Sequence, residues 1–223
     1  MEISPQQKEQ LALHWQLVKQ TNKQFNLTAI TDDETSRVLH YEDSLQAYDE
    51  LAALAPNSRV LDIGSGAGFP ALVLATLLPQ HSFFLLESTG KKCSFLQQAA
   101  AAMQLDNVSV LNMRAEDAGR DKSLRDTFDA VTARAVAALP TLSEYALPLL
   151  KPDGLLLAYK GVGAQQELAA AQNALQLLGG SLQQIKGSSL SNGDARMLII
   201  IAKSAATPDK YPRRNGMPLK RPL

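Results

Sequence analysis

The sequence lacks several features that mark special classes of protein. It has a single cysteine, Cys93, so an internal disulfide or a cysteine-based zinc cluster cannot form. No apolar run is long enough to span a membrane, and the first residues lack the basic and apolar regions of a secretory signal. These absences predict a cytoplasmic protein with no membrane partner.

An excess of charge of one sign is also missing. The 22 Lys and Arg residues balance the 22 Asp and Glu residues, which argues against a protein that coats nucleic acid indiscriminately. The three histidines, His14, His40 and His81, are isolated and show no metal-ligand spacing. We therefore expect no metal site, and we assign these histidines structural or surface positions.

From Arg59 onward the sequence alternates regularly between predicted strands and predicted helices, which indicates a mostly parallel sheet with helices on both faces. We predict strands at 59–63, 82–87, 107–111, 128–133 and 154–160, and helices at about 68–79, 91–104, 138–150 and 163–178. Asn192-Gly193 between two further runs, 184–190 and 196–203, predicts a hairpin that makes the last strand antiparallel. This is the α/β layout of the class I methyltransferase fold, a Rossmann-like sheet.

Helices are predicted to precede the sheet. The stretch 4–7 (SPQQ) is a capping box with proline at the first helical position, and it begins a helix to about Gln24. The stretch 31–34 (TDDE) is a second capping box, which predicts a helix toward Leu54. A chain of 223 residues fits one large domain. We divide it into an N-terminal helical cap (1–56), a core (57–203) and a basic C-terminal tail (204–223).

A glycine-rich elbow, 64–69, joins the first strand to the helix that follows it. Its spacing is G-x-G-x-G, with Gly64 and Gly66 as the first two glycines and Phe69 where a dinucleotide fingerprint needs its last glycine. Asp62 adds a carboxylate, which suits a cationic ligand, and Phe69 adds an apolar face. We interpret the elbow as an S-adenosylmethionine pocket. Phosphate binding, flavin binding and plain packing remain alternatives for a single elbow.

The carboxyl ends of the predicted parallel strands add further candidates, since ligands of open α/β sheets bind there. Glu87 ends the second strand and can accept hydrogen bonds from two ribose hydroxyls, although a solvated strand end is the alternative. Glu116, beside Ala115, is expected to meet an adenine edge. Arg134, at the end of the fourth strand, lies where a substrate meets the methyl group.

The carboxyl terminus concentrates positive charge. Residues 203–223 carry six basic side chains and one acid, whereas residues 1–50 carry nine acids and four bases. This asymmetry indicates contact with a polyanion through the C-terminal end. A merely solvated end remains the alternative.

Several motifs together resemble the glucose-inhibited division protein B family. They are VLDIGSGAGFP (60–70), the Glu87-Ser88-x-x-Lys91-Lys92 turn, NMRAED (112–117), VTARAVA (131–137), PLLKPDG (148–154), NLTAI (26–30), His40-x-x-Asp43-Ser44-Leu45 and KYPRRNGMPLKRPL (210–223). The members of this family are bacterial methyltransferases that modify N7 of one guanine, guanine-527, in the 16S rRNA of the small ribosomal subunit. The resemblance covers nearly the whole chain. The stretch 120–125 (RDKSLR) differs, and we interpret it as an extended charged loop.

The resemblance implies an S-adenosylmethionine site that uses Gly64, Phe69, Ala115, Glu116 and Arg134. Phosphates of the RNA would be held by basic side chains, namely Lys91, Lys92, Arg114, Lys210, Arg213, Arg214, Lys220 and Arg221. Deletion of residues 208–223 is then expected to spare cofactor binding and to lower RNA methylation.

Guanine N7 carries a lone pair and no proton, so its methylation needs positioning and no general base. Arg134 could orient the base through O6 or hold the carboxylate of the cofactor. Two other functions remain open: a methyltransferase for a small molecule or a protein, and a non-catalytic sensor of S-adenosylmethionine or a nucleotide.

Overall fold

Seven strands form one sheet in the computed structural model, which describes residues 2–223, and their order is β3-β2-β1-β4-β5-β7-β6. The strands are β1 (Arg59–Ile63), β2 (Ser82–Glu87), β3 (Val108–Asn112), β4 (Phe128–Arg134), β5 (Leu150–Lys160), β6 (Gly180–Ser189) and β7 (Ala195–Lys203). The first five pair in parallel, and β7 runs antiparallel to both β5 and β6. The predicted mixed sheet with an antiparallel last strand is confirmed.

Helices cover both faces of the sheet. They are α1 (Pro5–Asn22), α2 (Asp33–Ser36), α3 (Tyr48–Ala52), α4 (Ala71–Leu77), α5 (Gly90–Ala102), α6 (Ala115–Ala118), α7 (Leu139–Ala146), α8 (Ala164–Leu178) and α9 (Met217–Lys220). Within residues 2–223 none of them is both long enough and apolar enough to cross a membrane. Cys93 is buried in α5.

The sheet divides the interior into two apolar clusters because side chains alternate between its faces. Val60 of β1 belongs to the cluster under α1, α4 and α5, whereas its neighbour Leu61 belongs to the cluster under α7 and α8. In β2, Leu85 belongs to the same cluster as Val60, and its neighbour Leu86 belongs to the same cluster as Leu61. Both faces of the central strands are therefore buried.

The predicted start of α1 is confirmed. Ser4 Oγ accepts from the Gln7 backbone N–H at 3.2 Å, and the Gln7 side chain accepts from the Ser4 N–H at 3.0 Å. These reciprocal bonds satisfy two backbone donors that a helix start leaves unpaired. Val18 of α1 is fully buried in the first cluster.

The predicted continuous helix from Thr31 to Leu54 is wrong. The N-cap is Asp32, whose Oδ1 accepts from the Thr35 N–H at 2.8 Å. After α2 the chain makes a π-helical turn, Arg37–Glu42, and then a short 3-10 turn. A π turn inserts residues into the helical repeat and changes which side chains face inward. As a result His40 and Asp43 are both buried.

Two strands begin earlier than predicted, because their backbone pairing continues past the apolar residues. β5 begins at Leu150, opposite Phe128, and β6 begins at Gly180, opposite Lys203. The hairpin between β6 and β7 is confirmed. Gly193 has φ +88° in its turn, and the Leu190 N–H donates to the Asp194 carbonyl at 2.9 Å.

After β7 the chain packs back across the second cluster, and we call residues 207–223 the C-terminal strap. Tyr211 of the strap is buried in that cluster. The Arg125 guanidinium donates to the carbonyls of Thr207 and Tyr211 at 2.7 and 2.8 Å, and Arg120 Nε donates to the Pro212 carbonyl at 3.1 Å. Residues 120–125 form a charged loop before β4, as predicted, and two of its arginines fasten the strap.

Candidate active site

Two adjoining cavities open beyond the carboxyl ends of the parallel strands, where the strand order reverses between β1 and β4. The elbow cavity, about 340 Å³, is lined by Ile63, Gly64, Leu86, Glu87, Ser88, Met113, Arg114, Ala115, Glu116, Val136, Ala137, Tyr145, Gly216 and Leu219. The arginine cavity, about 510 Å³, is lined by Asp43, Arg134, Ala135, Val136, Ala137, Ala138, Tyr159, Lys160, Gly161, Glu167 and Arg196. The shared residues, Val136 and Ala137, make the two cavities neighbours.

The glycine elbow has a backbone conformation that residues other than glycine rarely adopt. Gly64 has φ +72°, and a Cβ atom there would lie 2.9 Å from Val136 Cγ2. Gly66 and Gly68 also have positive φ, at +54° and +90°. The glycines therefore allow the tight turn from β1 to α4 that forms one wall of the elbow cavity.

Glu87 is held at the elbow by the backbone. Its Oε2 accepts from the Gly66 N–H at 3.1 Å and its Oε1 accepts from the Thr89 N–H at 2.8 Å. Each carboxylate oxygen can accept a second hydrogen bond, so Glu87 can also bind hydroxyl groups of a ligand. The structure brings Gly64, Glu87, Ala115 and Glu116 together in one cavity, where the strand pattern predicts them.

Asp62 lies in the wall of the site and does not line either cavity. It is buried, and its Oδ1 accepts from Thr132 Oγ1 at 2.7 Å. Its Oδ2 has no hydrogen-bond partner among residues 2–223. Burial raises the pKa of this carboxyl to about 6. Asp62 therefore lies deeper than expected from the sequence, and its role toward a cationic ligand stays a prediction.

Phe69 does not offer a face to either cavity, which corrects the expectation from the sequence. Its ring stacks on His40 with centroids 4.3 Å apart and planes 12° apart, and it lies 4.6 Å from the ring of His14. The Arg134 guanidinium lies 5.7 Å from the Phe69 centroid. Phe69 therefore supports the residues of the arginine cavity from behind.

Arg134 is held by the buried carboxylate of Asp43, which the sequence pattern does not predict as a site residue. Its Nη1 donates to Asp43 Oδ2 at 2.7 Å and to the Leu39 carbonyl at 3.1 Å. Asp43 Oδ1 accepts from Arg196 Nε at 3.0 Å. One carboxylate thus orients two guanidinium groups, which keep further N–H donors for a ligand.

Lys160 and Glu167 are two more cavity residues that the sequence pattern does not predict. Lys160 Nζ donates to Glu167 Oε2 at 2.6 Å and to the Ala137 carbonyl at 2.9 Å. The only advance signal is the position of Lys160 at the end of a predicted strand. Both carboxylates that line the arginine cavity, Asp43 and Glu167, are paired with cations.

The predicted RNA-binding side chains take different positions. Those that are exposed are Lys91, Arg114, Lys210, Arg214, Lys220 and Arg221, and Lys92 is half-buried. Arg213 differs, because its Nε and Nη2 donate to the two oxygens of the buried Glu144 at 2.9 and 2.6 Å. This ion pair fixes the strap, and it leaves Arg213 poorly placed to bind phosphate.

Metal-ligating side chains are scattered. Across residues 2–223 no group of three or more His, Cys, Asp or Glu residues is arranged to hold a metal ion. His14 is fully buried, with Nε2 2.8 Å from the Ala67 carbonyl, and His81 is buried with Nε2 2.9 Å from the Leu51 carbonyl. Both have the structural positions predicted for them.

Solved structures similar to this chain share its fold. A SAM-dependent methyltransferase from Aquifex aeolicus matches with a TM-score of 0.59 at 16% identity, covering 83% of this chain and 98% of that one. TYW2 from M. jannaschii, solved in complex with AdoMet, matches with a TM-score of 0.54 at 15% identity, covering 75% of this chain and 78% of that one. The predicted class I fold of S-adenosylmethionine-dependent methyltransferases is confirmed.

Sequence comparisons are more specific. The family model GidB, described as rRNA small subunit methyltransferase G, matches residues 7–197. A "Ribosomal RNA small subunit methyltransferase G" from Lactobacillus johnsonii is 43% identical and covers 100% of this chain and 94% of the relative. One from Leuconostoc citreum is 42% identical over 99% of this chain and 93% of the relative. The chain therefore belongs to the glucose-inhibited division protein B family of rRNA small subunit methyltransferases, as its motifs predicted.

Proposed function

We propose that this chain transfers a methyl group from S-adenosylmethionine to N7 of one guanine in the 16S rRNA of the small ribosomal subunit. Guanine-527 is the target implied by the family resemblance. The relatives' names support small-subunit rRNA as the substrate class. A ribosomal substrate also agrees with the predicted cytoplasmic location.

The elbow cavity suits S-adenosylmethionine better than a dinucleotide. Its volume lies within the range of small-ligand sites, and two of its lining residues are carboxylates, Glu87 and Glu116. Carboxylates repel a pyrophosphate, whereas they accept hydrogen bonds from a ribose and from an adenine amino group. The unpaired oxygen of Asp62 behind the elbow favours a ligand that carries positive charge.

In this proposal the chain's own residues position the reactants. The bound cofactor supplies a methyl group carried on a sulfonium centre. Glu87 holds the ribose, and the backbone at Gly64 and Ala115 closes around the ligand. Arg134 and Arg196 offer N–H donors that match guanine O6, and N7 stays free for in-line attack. Such positioning contributes up to roughly 7–11 kcal/mol to catalysis.

One observation supports N7 as the methyl acceptor: both carboxylates in the arginine cavity are paired with cations. Asp43 is bonded to Arg134 and Arg196, and Glu167 is bonded to Lys160, so each carboxylate of this cavity is engaged with a cation. An exocyclic amine or a hydroxyl must lose a proton to be methylated, which calls for a general base. Guanine N7 has no proton to lose, so it is the acceptor that this cavity favours.

The test is methylation in vitro of small ribosomal subunits, and separately of naked 16S rRNA, taken from cells that lack this protein. We expect label from S-adenosylmethionine at one guanine, which then becomes sensitive to borohydride reduction and aniline cleavage, a treatment selective for N7-methylguanosine. Subunits from cells that contain the protein serve as the control and should accept no label. Label on an amine or a ribose would overturn N7 as the acceptor. No label on the RNA would overturn the proposal and leave the small-molecule, protein or sensor alternatives.

A further inference from the structure

The C-terminal strap forms part of the elbow cavity. Gly216 and Leu219 line it, although the GidB family model matches only residues 7–197. Leu219 keeps 65% of its surface exposed, which is unusual here for a large apolar side chain. Its apolar surface is thus available to a ligand that occupies the cavity.

The strap presents Leu219 from a fixed position. Arg213 forms a two-pronged ion pair with the fully buried Glu144 of α7, and Thr141 Oγ1 donates to the Pro218 carbonyl at 3.0 Å. Bidentate pairs between arginine and a carboxylate are strong and restrict geometry. Pro218, next to Leu219, is buried.

The strap also holds a carboxylate of the cavity. The Gly216 N–H donates to Glu116 Oε1 at 2.8 Å, and Glu116 is only 4% exposed. Within residues 2–223 Glu116 Oε2 makes no hydrogen bond to another side chain or to the backbone. This second oxygen can therefore accept a hydrogen bond from a ligand.

The neighbouring cavity sets the direction in which a ligand lies. A methyl group must face the arginine cavity, which joins the elbow cavity at Val136 and Ala137. Glu87 lies at the end of β2 and holds the ribose in the proposed function. The adenine is then left to contact the rest of the lining of the elbow cavity, which includes Glu116, Gly216 and Leu219.

We propose that Leu219 covers one face of the adenine ring of the cofactor, and that the Gly216 amide orients Glu116 to accept from the adenine amino group. The inference rests on the proposed function, because it needs S-adenosylmethionine as the ligand. It revises the expectation that deletion of residues 208–223 spares cofactor binding. The strap becomes a wall of the cofactor site.

The test is isothermal titration calorimetry on the full chain with two probes, S-adenosylmethionine and methylthioadenosine, which keeps the adenosine and lacks the amino acid. Leu219→Ala should weaken both probes by the same factor, about tenfold, because Leu219 packs against the adenine that both probes share. Leu182→Ala is the matched control, since Leu182 is a 44% exposed leucine on β6 that lines neither cavity. The affinity of Leu182→Ala for both probes should equal that of the unaltered protein.

Failure of the inference and failure of the proposed function are distinguishable. If the unaltered protein binds neither probe, the proposed function fails before any variant is measured. If it binds both and Leu219→Ala binds as tightly as Leu182→Ala, the function stands and the inference is overturned. A loss confined to S-adenosylmethionine also overturns the inference. We also expect methylthioadenosine to slow amide hydrogen exchange in residues 213–223. Unchanged exchange would contradict the inference.

Discussion

At the scale of single residues, Gly64 is a position in the candidate site where an added methyl group should destabilise the fold. Its φ of +72° and the 2.9 Å approach of Val136 Cγ2 mean that Gly64→Ala strains the backbone and displaces a side chain shared by both cavities. We expect the free energy of unfolding to fall by about 1–3 kcal/mol. Urea denaturation at equilibrium measures it.

Gly90→Ala is the control for this prediction. A Cβ atom at Gly90, the first residue of α5, would make only an ordinary contact of 3.9 Å with Asn112 Oδ1. We expect its stability to be unchanged or slightly higher, because alanine favours helix more than glycine does. Equal stability of the two variants would contradict the strain assigned to the elbow.

Asp43 is the residue on which the arginine cavity depends. Asp43→Asn leaves two guanidinium groups without their buried counterion, and we expect a loss of about 3 kcal/mol in stability. Asp43 acts through Arg134, and it lines the arginine cavity only. RNA methylation should therefore fall at least roughly tenfold while the dissociation constant of S-adenosylmethionine stays unchanged.

A comparable substitution on the surface provides the control. Asp33 also pairs with a cation, Lys19, but its side chain is 74% exposed. Exposed ion pairs contribute little to stability, so Asp33→Asn should leave both unfolding and methylation essentially unaltered. A weaker affinity for S-adenosylmethionine in Asp43→Asn would show that the two cavities are not separate in function.

At the scale of elements, the contact between α1 and the elbow should depend on pH. His14 of α1 bonds to the Ala67 carbonyl at 2.8 Å, and its pKa is lowered to about 4, first by burial and to a smaller extent by the charge of His40. The folded state therefore holds His14 neutral, while the unfolded chain takes up a proton below about pH 6.5. The contribution of His14 to the free energy of unfolding is complete above that pH. This contribution should fall by roughly 3 kcal/mol as the pH falls to about 4.

Asp62 acts in the opposite direction over part of this range. Because its pKa is raised to about 6, its protonation favours the folded state as the pH falls from about 6 to 3.8. The measurement is urea unfolding at about pH 7 and about pH 5 for the unaltered protein and for His14→Gln, which cannot titrate. The variant should show the smaller decrease in stability, and an equal decrease would contradict the prediction.

Elements were predictable where a local pattern fixes the backbone. The capping box at Ser4, the apolar strands and the Asn-Gly hairpin all depend on residues that lie within a few positions of each other. The π turn at Arg37–Glu42 was not predictable in this way. An extra residue in a helical turn is stabilised by tertiary contacts, here the stacking of His40 on Phe69, and those contacts are remote in sequence.

At the scale of the whole molecule, binding of RNA and binding of S-adenosylmethionine should differ in their dependence on salt concentration. We expect methylation of RNA to weaken steeply with added salt, because bound cations are released from the RNA, and binding of S-adenosylmethionine to change little. A variant with Lys210, Arg214, Lys220 and Arg221 all changed to Gln should reduce the salt slope by about one for each phosphate that is no longer neutralised. The measurement is kcat/KM for RNA at saturating cofactor and increasing salt.

Lys8→Gln, a change of one exposed lysine on α1, is the control for the basic residues of the strap. It should leave the slope unaltered. If the variant with four changes keeps the slope of the unaltered protein, the positive charge at the C-terminal end is solvated and does not bind RNA.

The candidate site was predictable to the extent that strand ends converge. Gly64, Glu87, Glu116 and Arg134 each follow or end a parallel strand, so topology alone brings them to one edge of the sheet. The hydrogen bond from Gly216 to Glu116, 100 residues apart, could not be predicted. No local pattern indicates which distant amide reaches a buried carboxylate, and the same applies to Asp43 and its two arginines.

The two chain termini approach the site from opposite faces of the sheet. The N-terminal helices bring Asp43 to the arginine cavity, and the C-terminal strap brings Gly216 and Leu219 to the elbow cavity. Substitutions in the N-terminal helices should therefore act on the arginine cavity, and substitutions at Gly216 or Leu219 should act on the elbow cavity. A chimera that exchanges only the N-terminal helices between relatives should therefore change side chains at the arginine cavity and leave the lining of the elbow cavity as it was in the recipient.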